Sequence, residues 1–272
     1  MFVIQKDETL FKEFSELVMG VTNREEDFRM SVMESAMERL AAKIDVPRDR
    51  IKVMSQVHSA EVIVVNDPDM NTQELEADAM VTNLTDVVLG VKTADCIPVL
   101  LYDPVVHAIG VAHAGRKGAK AGVVKNTVKA MVREYGVDVS RLRVYLGPSL
   151  GAQDHAVFAE EVSDEMEEIE GVVVRKNDIG VHDFANEEHK RAFQERTGIT
   201  DEELAHKQTV YVDMPAFVRE QLIELGVKEG NIQTSRINTM RDTRVHSYRR
   251  DFPNHGLMLS CIGRRARGNM LE

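Results

Sequence analysis

A thiol and an imidazole are the side chains that most readily make either a nucleophile–base pair or a metal site. Here they stand close together in the chain, each at the edge of an apolar segment. Cys96 lies in Thr93-Ala94-Asp95-Cys96-Ile97-Pro98, and His113 opens His113-Ala114-Gly115-Arg116-Lys117-Gly118. A third candidate, His58, closes the apolar run from Ile51 to Val57. Their spacings of 38 and 17 residues match no compact zinc-finger pattern, which argues against a closed four-ligand structural site. Three protein ligands with a fourth position open is the catalytic zinc arrangement. The same atoms also suit a second chemistry, with Cys96 as nucleophile, His113 as base and Asp95 beside them. Residue types alone leave both open. The other histidines, His107, His155, His182, His189, His206, His246 and His255, are scattered and read as surface or structural, with His155 the first exception to expect.

Cations supply a second feature. Arg24 follows Thr22-Asn23, and Arg249 and Arg250 sit between Tyr248 and Asp251, a setting that suits either ordinary surface charge or an oxyanion contact. Gly115 to Gly118 forms a strand-to-helix turn whose backbone N–H groups, with Arg116, Lys117 and Lys120, suit a phosphate or carboxylate.

These residues need elements to position them. Met33, Met37, Leu40 and Ile44 recur at spacings of three and four, predicting an amphipathic helix over Phe28 to Ile44. Ile51 to Val57, Val62 to Val65, Val87 to Val91, Ile97 to Leu101, His107 to Ala112, Leu142 to Leu146, Val172 to Arg175, Val210 to Asp213 and Leu257 to Ile262 read as strands. A helix is expected from Gly115 to about Tyr135, stopped by Gly136. Others are expected over Glu160 to Glu170, Asn186 to Thr197, Asp201 to His206 and Pro215 to Leu225. There is no fixed-period repeat and no low-complexity linker, so residues 1–272 read as one intertwined α/β domain.

The 272 residues suffice for a proper core, and 43% of them are hydrophobic. The net charge of −11 argues against general affinity for nucleic acid or anionic membrane. Two cysteines, Cys96 and Cys261, are too few for a secreted disulfide scaffold, and neither a signal peptide nor a membrane-spanning run is present. The expectation is a soluble, reduced, cytoplasmic protein.

The motifs taken together resemble the YfiH, or laccase-domain, family. They are Gln56-Val57-His58, Ala77-Asp78-Ala79-Met80-Val81-Thr82, Thr93 to Pro98, His113 to Gly118, Gly147-Pro148-Ser149-Leu150-Gly151, Tyr211-Val212-Asp213-Met214 and Ser247-Tyr248-Arg249-Arg250-Asp251. The resemblance implies a single-domain α/β (α+β) sandwich of mixed β-sheets with flanking helices, distantly similar to cysteine-hydrolase-like toxin domains. It implies one zinc ion held by His58, Cys96 and His113, with Cys96, His113 and Asp95 as catalytic residues. Arg24, Gln56, Arg116, Lys117, Arg249 and Arg250 become the expected phosphate and substrate contacts. The implied activity is phosphorolysis of purine nucleosides, with adenosine deamination and methylthioadenosine cleavage beside it. Copper fits poorly, since multicopper sites use His-x-His pairs and this chain has none. A Cys–His hydrolase acting on a cell-wall precursor and a non-catalytic metal-binding relative are the alternatives.

The chain departs from the family pattern at several positions. Arg116-Lys117 replaces Trp-Arg, His155-Ala156-Val157 replaces Tyr-Glu-Val, and Asn238-Thr239 replaces Cys-Thr. His255-Gly256-Leu257 stands where Gly-Arg is usual, and the glycine-rich N-terminal segment is shortened.

Overall fold

A computed structural model describes residues 1–179 and 187–265. His182 and the start of the helix expected at Asn186 lie outside the described residues, and for His189 only the backbone is described.

Two large sheets form the centre. The first has five strands in the order β1 (Phe2–Gln5), β2 (Leu17–Thr22), β14 (Met258–Arg264), β6 (Val88–Thr93) and β3 (Ile51–Lys52). The second has six, in the order β13 (Ile232–Thr234), β9 (Arg143–Leu146), β7 (Ile97–Tyr102), β8 (Ile109–Ala114), β5 (Ala79–Thr82) and β4 (Val62–Val64). Both are mixed: β3 runs parallel to β6 and β4 parallel to β5, while β7 and β8 pair antiparallel. A third sheet, β10 (Ala156–Phe158), β12 (Gln208–Val212) and β11 (Val173–Ile179), is not hydrogen-bonded to these but shares the core of the second through Val157, Val210 and Val212.

Side-chain alternation explains why the two large sheets stack. Along β7, Leu100 and Tyr102 face the first sheet, while Ile97, Val99 and Leu101 face the helices on the far side. Along β14, Met258 and Ile262 face the second sheet, while Leu259 and Cys261 turn outward to α1 (Met33–Ile44). Both faces of each central strand are therefore buried, which is why the sequence there is continuously apolar rather than alternating. Against the second sheet pack α3 (Val123–Tyr135) and α7 (Met214–Glu224), whose Val124, Val128, Phe217 and Leu222 are fully buried. The order across the molecule is helix, sheet, sheet, helix, the sandwich of mixed sheets with flanking helices that the sequence motifs imply. The remaining helices are α2 (Arg116–Lys120), α4 (Asp164–Glu168), α5 (Glu187–Thr197), α6 (Asp201–His206) and α8 (Tyr248–Asp251). Among the described residues, no helix is long and apolar enough to cross a membrane.

Five expected elements differ. Ile51 to Val57 pairs as a strand only at Ile51 and Lys52, because the backbone of Lys92 is met by the Gln56 side chain instead of by a strand. Gln56 Nε2 donates to Lys92 O (2.7 Å) and Gln56 Oε1 accepts from Lys92 N (2.8 Å). The helix expected from Gly115 to Tyr135 is two, because Gly122 takes a left-handed φ of 88° that ends α2 and starts α3. The helix expected at Phe28 starts only at Met33. The acidic helix expected over Glu160 to Glu170 is only the short α4. His107 stands in a turn, with its Nδ1 2.9 Å from Tyr102 Oη, and β8 begins two residues later.

Candidate metal centre

The sandwich brings two loops and the end of a strand together. His113 is next to last in β8 and 4% exposed, on the face shared by Ile109 and Val111 between the sheets. Cys96 sits in the three-residue connection Ala94-Asp95-Cys96, which carries the chain from β6 in the first sheet to β7 in the second. Asp95 makes that crossing with a left-handed φ of 86°. His58 is exposed, in the loop after β3, also left-handed at φ 60°. The ligand atoms of the three lie within 4.8 Å of one another, and they are the one such group found among the described residues. The rings of His58 and His113 meet edge to face at 4.7 Å.

Asp78, one of many carboxylates in the sequence, holds this group together. It is fully buried between Ala77 and Ala79. Its Oδ1 accepts from His113 Nδ1 at 2.7 Å, which leaves Nε2 of that ring for Cys96. Its Oδ2 accepts from Ser59 N (2.6 Å), Ser59 Oγ (2.9 Å) and Val57 N (3.1 Å), clamping the turn that carries His58. The signal was present: a lone carboxylate inside Ala77-Asp78-Ala79-Met80-Val81 has to be buried, and a buried carboxylate needs partners.

The charges follow from these contacts. Burial by itself would raise the Cys96 thiol, but His113 and His58 beside it hold it down at about 6. Burial opposes charge on His113, but the Cys96 sulfur and Asp78 lift it to about 9. Burial likewise opposes charge on Asp78, and its bonds from His113 and Ser59 bring it down to about 2. In the metal-free chain at neutral pH, Cys96 and His113 therefore form a thiolate–imidazolium pair. Cys261 is the contrast: buried beneath α1, its thiol is pushed up to about 12.

The residues present fit a zinc ion. A tetrahedral centre with the usual Zn–S and Zn–N lengths separates sulfur from nitrogen by about 3.6 Å. Cys96 Sγ and His58 Nε2 are 3.8 Å apart. Gly115 is needed for this approach, since a Cβ there would lie 2.7 Å from His58 Cδ2 and 2.8 Å from Cys96 Sγ. A carboxylate on the second nitrogen of a ligating histidine, as Asp78 on His113, is the usual support of such a ligand.

The group opens into a cleft of about 610 Å³, lined on the metal side by His58, Cys96 and Asp95. Arg116 and Lys117 stand at its rim with Glu160 and Glu161, and Leu150, Phe158, Phe193, Ile199 and Met214 make an apolar wall. Arg116 pairs with Glu161 at 2.5 Å. Lys117 is exposed and has no protein partner among the described residues. Asp95 also reaches the cleft, but its carboxylate is committed. Oδ1 accepts from Thr239 Oγ1 (2.5 Å) and Oδ2 from Arg249 N (2.7 Å), and burial raises its pKa against those bonds. The Arg249 guanidinium donates to Ala156 O at 2.9 Å.

Three expected contacts are placed elsewhere. Arg250 spends its guanidinium on the carbonyls of Thr239, Asp242 and Val245 and on Asp251, so it braces the loop before α8. Gln56 is held by the Lys92 backbone. Arg24 reaches Thr243 O and, at 3.8 Å, Asp251. An adjacent pair of arginines carries no sequence signal of which one is turned inward, because that depends on which carbonyls α8 leaves open. His206 and His246 bond to the carbonyls of Glu202 and Glu26.

Comparison with known proteins agrees with this architecture. Over 168 residues the chain is 38% identical to a purine nucleoside phosphorylase of Streptomyces coelicolor, covering 61% of this chain and 69% of that one. It is 31% identical over 234 residues to an adenosine deaminase from an unknown prokaryotic organism, covering 83% and 79%. The crystal structure of the Bacillus licheniformis hypothetical protein YfiH matches with a TM-score of 0.75 at 20% identity, over 94% of this chain and 96% of that one. YlmD from Geobacillus stearothermophilus matches at 0.72 and 22% identity, over 93% of each. Residues 9–265 match the family described as multi-copper polyphenol oxidoreductase laccase, and this chain belongs to that family.

Proposed function

We propose that this chain is a zinc-dependent enzyme acting on purine nucleosides, with phosphorolysis as its main reaction. The observation that carries the reading is the His58–Cys96–His113 group opening into a cleft with a cationic rim and an apolar, aromatic wall. The relatives' names, purine nucleoside phosphorylase and adenosine deaminase, support the substrate class. Zinc bound there would supply a Lewis acid beside the substrate. The apolar wall takes the flat base and excludes water from it. Lys117 at the rim, with Arg116 and Arg249 behind it, suits an incoming phosphate. In the reaction a phosphate oxygen bonds to C1′ of the ribose while the bond from C1′ to the base nitrogen breaks, and the base leaves with the electron pair and gains a proton. His113, held charged in the metal-free chain by the Cys96 sulfur and Asp78, would give up its Nε2 proton on serving as a metal ligand, with Asp78 keeping the proton on Nδ1 in place. We place the enzyme in a reducing cytoplasm and read residues 1–272 as one domain.

The test is to incubate zinc-loaded protein with adenosine, inosine and methylthioadenosine, with and without phosphate, and to identify the products. Phosphate-dependent release of free base and ribose 1-phosphate is expected. Inosine formed from adenosine without phosphate would assign deamination instead. A second reading has one observation in its favour: Cys96, His113 and Asp78 also compose a nucleophile, a base and its orienting carboxylate. Metal content of protein purified without added metal separates the two. A hydrolase would be active metal-free and alkylated at Cys96, whereas the zinc enzyme would carry one equivalent and resist alkylation.

A further inference from the structure

His155 is the titratable group of the cleft that neither reading uses. It follows the turn Ala152–Asp154 and precedes β10, and its ring lines the cleft. Nδ1 is buried and has no partner. The residue is half-buried and its side chain makes no hydrogen bond among the described residues, so with Nδ1 turned inward Nε2 is the nitrogen left to face the cleft. A buried N–H without an acceptor is rarer than an under-used acceptor. The proton therefore sits on Nε2, and the orphaned Nδ1 keeps its lone pair. Burial, with the Arg249 and Arg116 guanidiniums, keeps the ring uncharged down to about pH 3. His155 thus offers the cleft one neutral N–H donor. On the same cleft, Phe158 and Phe193 stand with ring centroids 5.7 Å apart, flanked by Ile199 and Met214. Apolar walls with a single placed donor fit a flat heterocycle read at one carbonyl oxygen.

We propose that His155 sets base specificity: its Nε2–H donates to the ring carbonyl of the bound base, so that 6-oxopurine nucleosides are taken in preference to 6-aminopurine nucleosides. The proposal rests on the nucleoside reading above. A 6-amino group at the same place would set N–H against N–H and strand the His155 donor in a desolvated site, and such a mismatch discriminates strongly.

Two measurements on the zinc-loaded full chain test this. The first is the ratio of kcat/KM for inosine over adenosine phosphorolysis, expected at roughly tenfold to a hundredfold in the unmodified protein. His155→Leu offers the base nothing and His155→Gln offers either end of an amide. Both should bring the ratio to within about threefold of one, and two variants guard against one failing to fold. A wild-type ratio that favours adenosine, or one that survives both substitutions, overturns the proposal. The second is the nitrogen NMR signature of His155 at pH 7 in histidine-labelled protein, assigned by its loss in His155→Gln. An Nε2–H tautomer supports the donor, and an Nδ1–H tautomer or a charged ring overturns it whatever the substrate. No turnover of either nucleoside at full zinc occupancy would instead remove the nucleoside reading and the substrate named here, and the tautomer separates that failure from a failure of His155.

Discussion

Asp78→Asn changes one atom and nearly no volume, yet it should loosen the metal group from both sides. The carboxylate accepts on each oxygen: one bond from His113 Nδ1, and three from Val57 N, Ser59 N and Ser59 Oγ. An amide has one acceptor end. If its oxygen serves the Ser59 turn, its NH2 faces His113. Nδ1 must then accept, the ring proton moves to Nε2, and that nitrogen no longer has a lone pair for a metal. If its oxygen serves His113, two backbone N–H groups lose their acceptor and the turn bearing His58 loses its clamp. Hydrogen bonds to a charged group contribute about 1.5–3 kcal/mol each, and Asp78 is fully buried, so a loss of roughly 2–4 kcal/mol in fold stability follows. Loss of the carboxylate supporting a histidine ligand typically weakens metal binding 10–100-fold, or about 1.4–2.7 kcal/mol. Zinc competition against a chromophoric chelator at pH 7 reads the affinity, and thermal unfolding of the metal-free protein reads the stability. A variant that folds and binds zinc with the wild-type constant would refute the reasoning, because it would mean that neither the tautomer nor the turn depends on Asp78.

Cys96→Ala should remove most of the zinc that the purified protein carries, since two imidazoles alone leave a weak site; full zinc by metal analysis would end the assignment. Gly115→Ala should fold, because φ is −72° there, but its Cβ would press on His58 and Cys96, so zinc content should fall while the unfolding temperature of the metal-free protein stays within a few degrees. Stability should also depend on pH through His155. Its folded pKa of about 3 lies below the unfolded value near 6.5, so the unfolded chain takes up a proton that the folded chain refuses. Stability is full above about pH 6.5 and declines as the pH falls towards 3. The ring edge reaches the cleft, so screening reduces the decline to roughly 1–3 kcal/mol. Denaturant midpoints between pH 7 and 4 should fall less steeply in His155→Leu than in wild type, and parallel curves would contradict the burial of that ring.

The layers and the three candidate ligands are legible in the residue pattern alone. Continuous apolar runs such as Ile97 to Leu101 have to be buried on both faces, and that alone demands a central sheet covered on each side. The 3,4 spacing of Met33, Met37, Leu40 and Ile44 places a helix outside it, and thiol and imidazole chemistry marked Cys96, His58 and His113. Tertiary structure decided what those side chains meet. Asp78 is one carboxylate among many until β5 sets it beside β8 and the Ser59 turn, 35 residues from His113 and 19 from Ser59 along the chain. Arg249 and Arg250 are indistinguishable as letters, and the carbonyls left open near α8 turn one to Ala156 O and the other into the loop before that helix. Gly122 divides a helix that periodicity would run straight through, because a left-handed φ is a property of the path and not of the pattern. Local sequence sets which faces are apolar and which groups can ionise. Which ones lie within bonding distance depends on contacts between distant segments, and no window along the chain contains them.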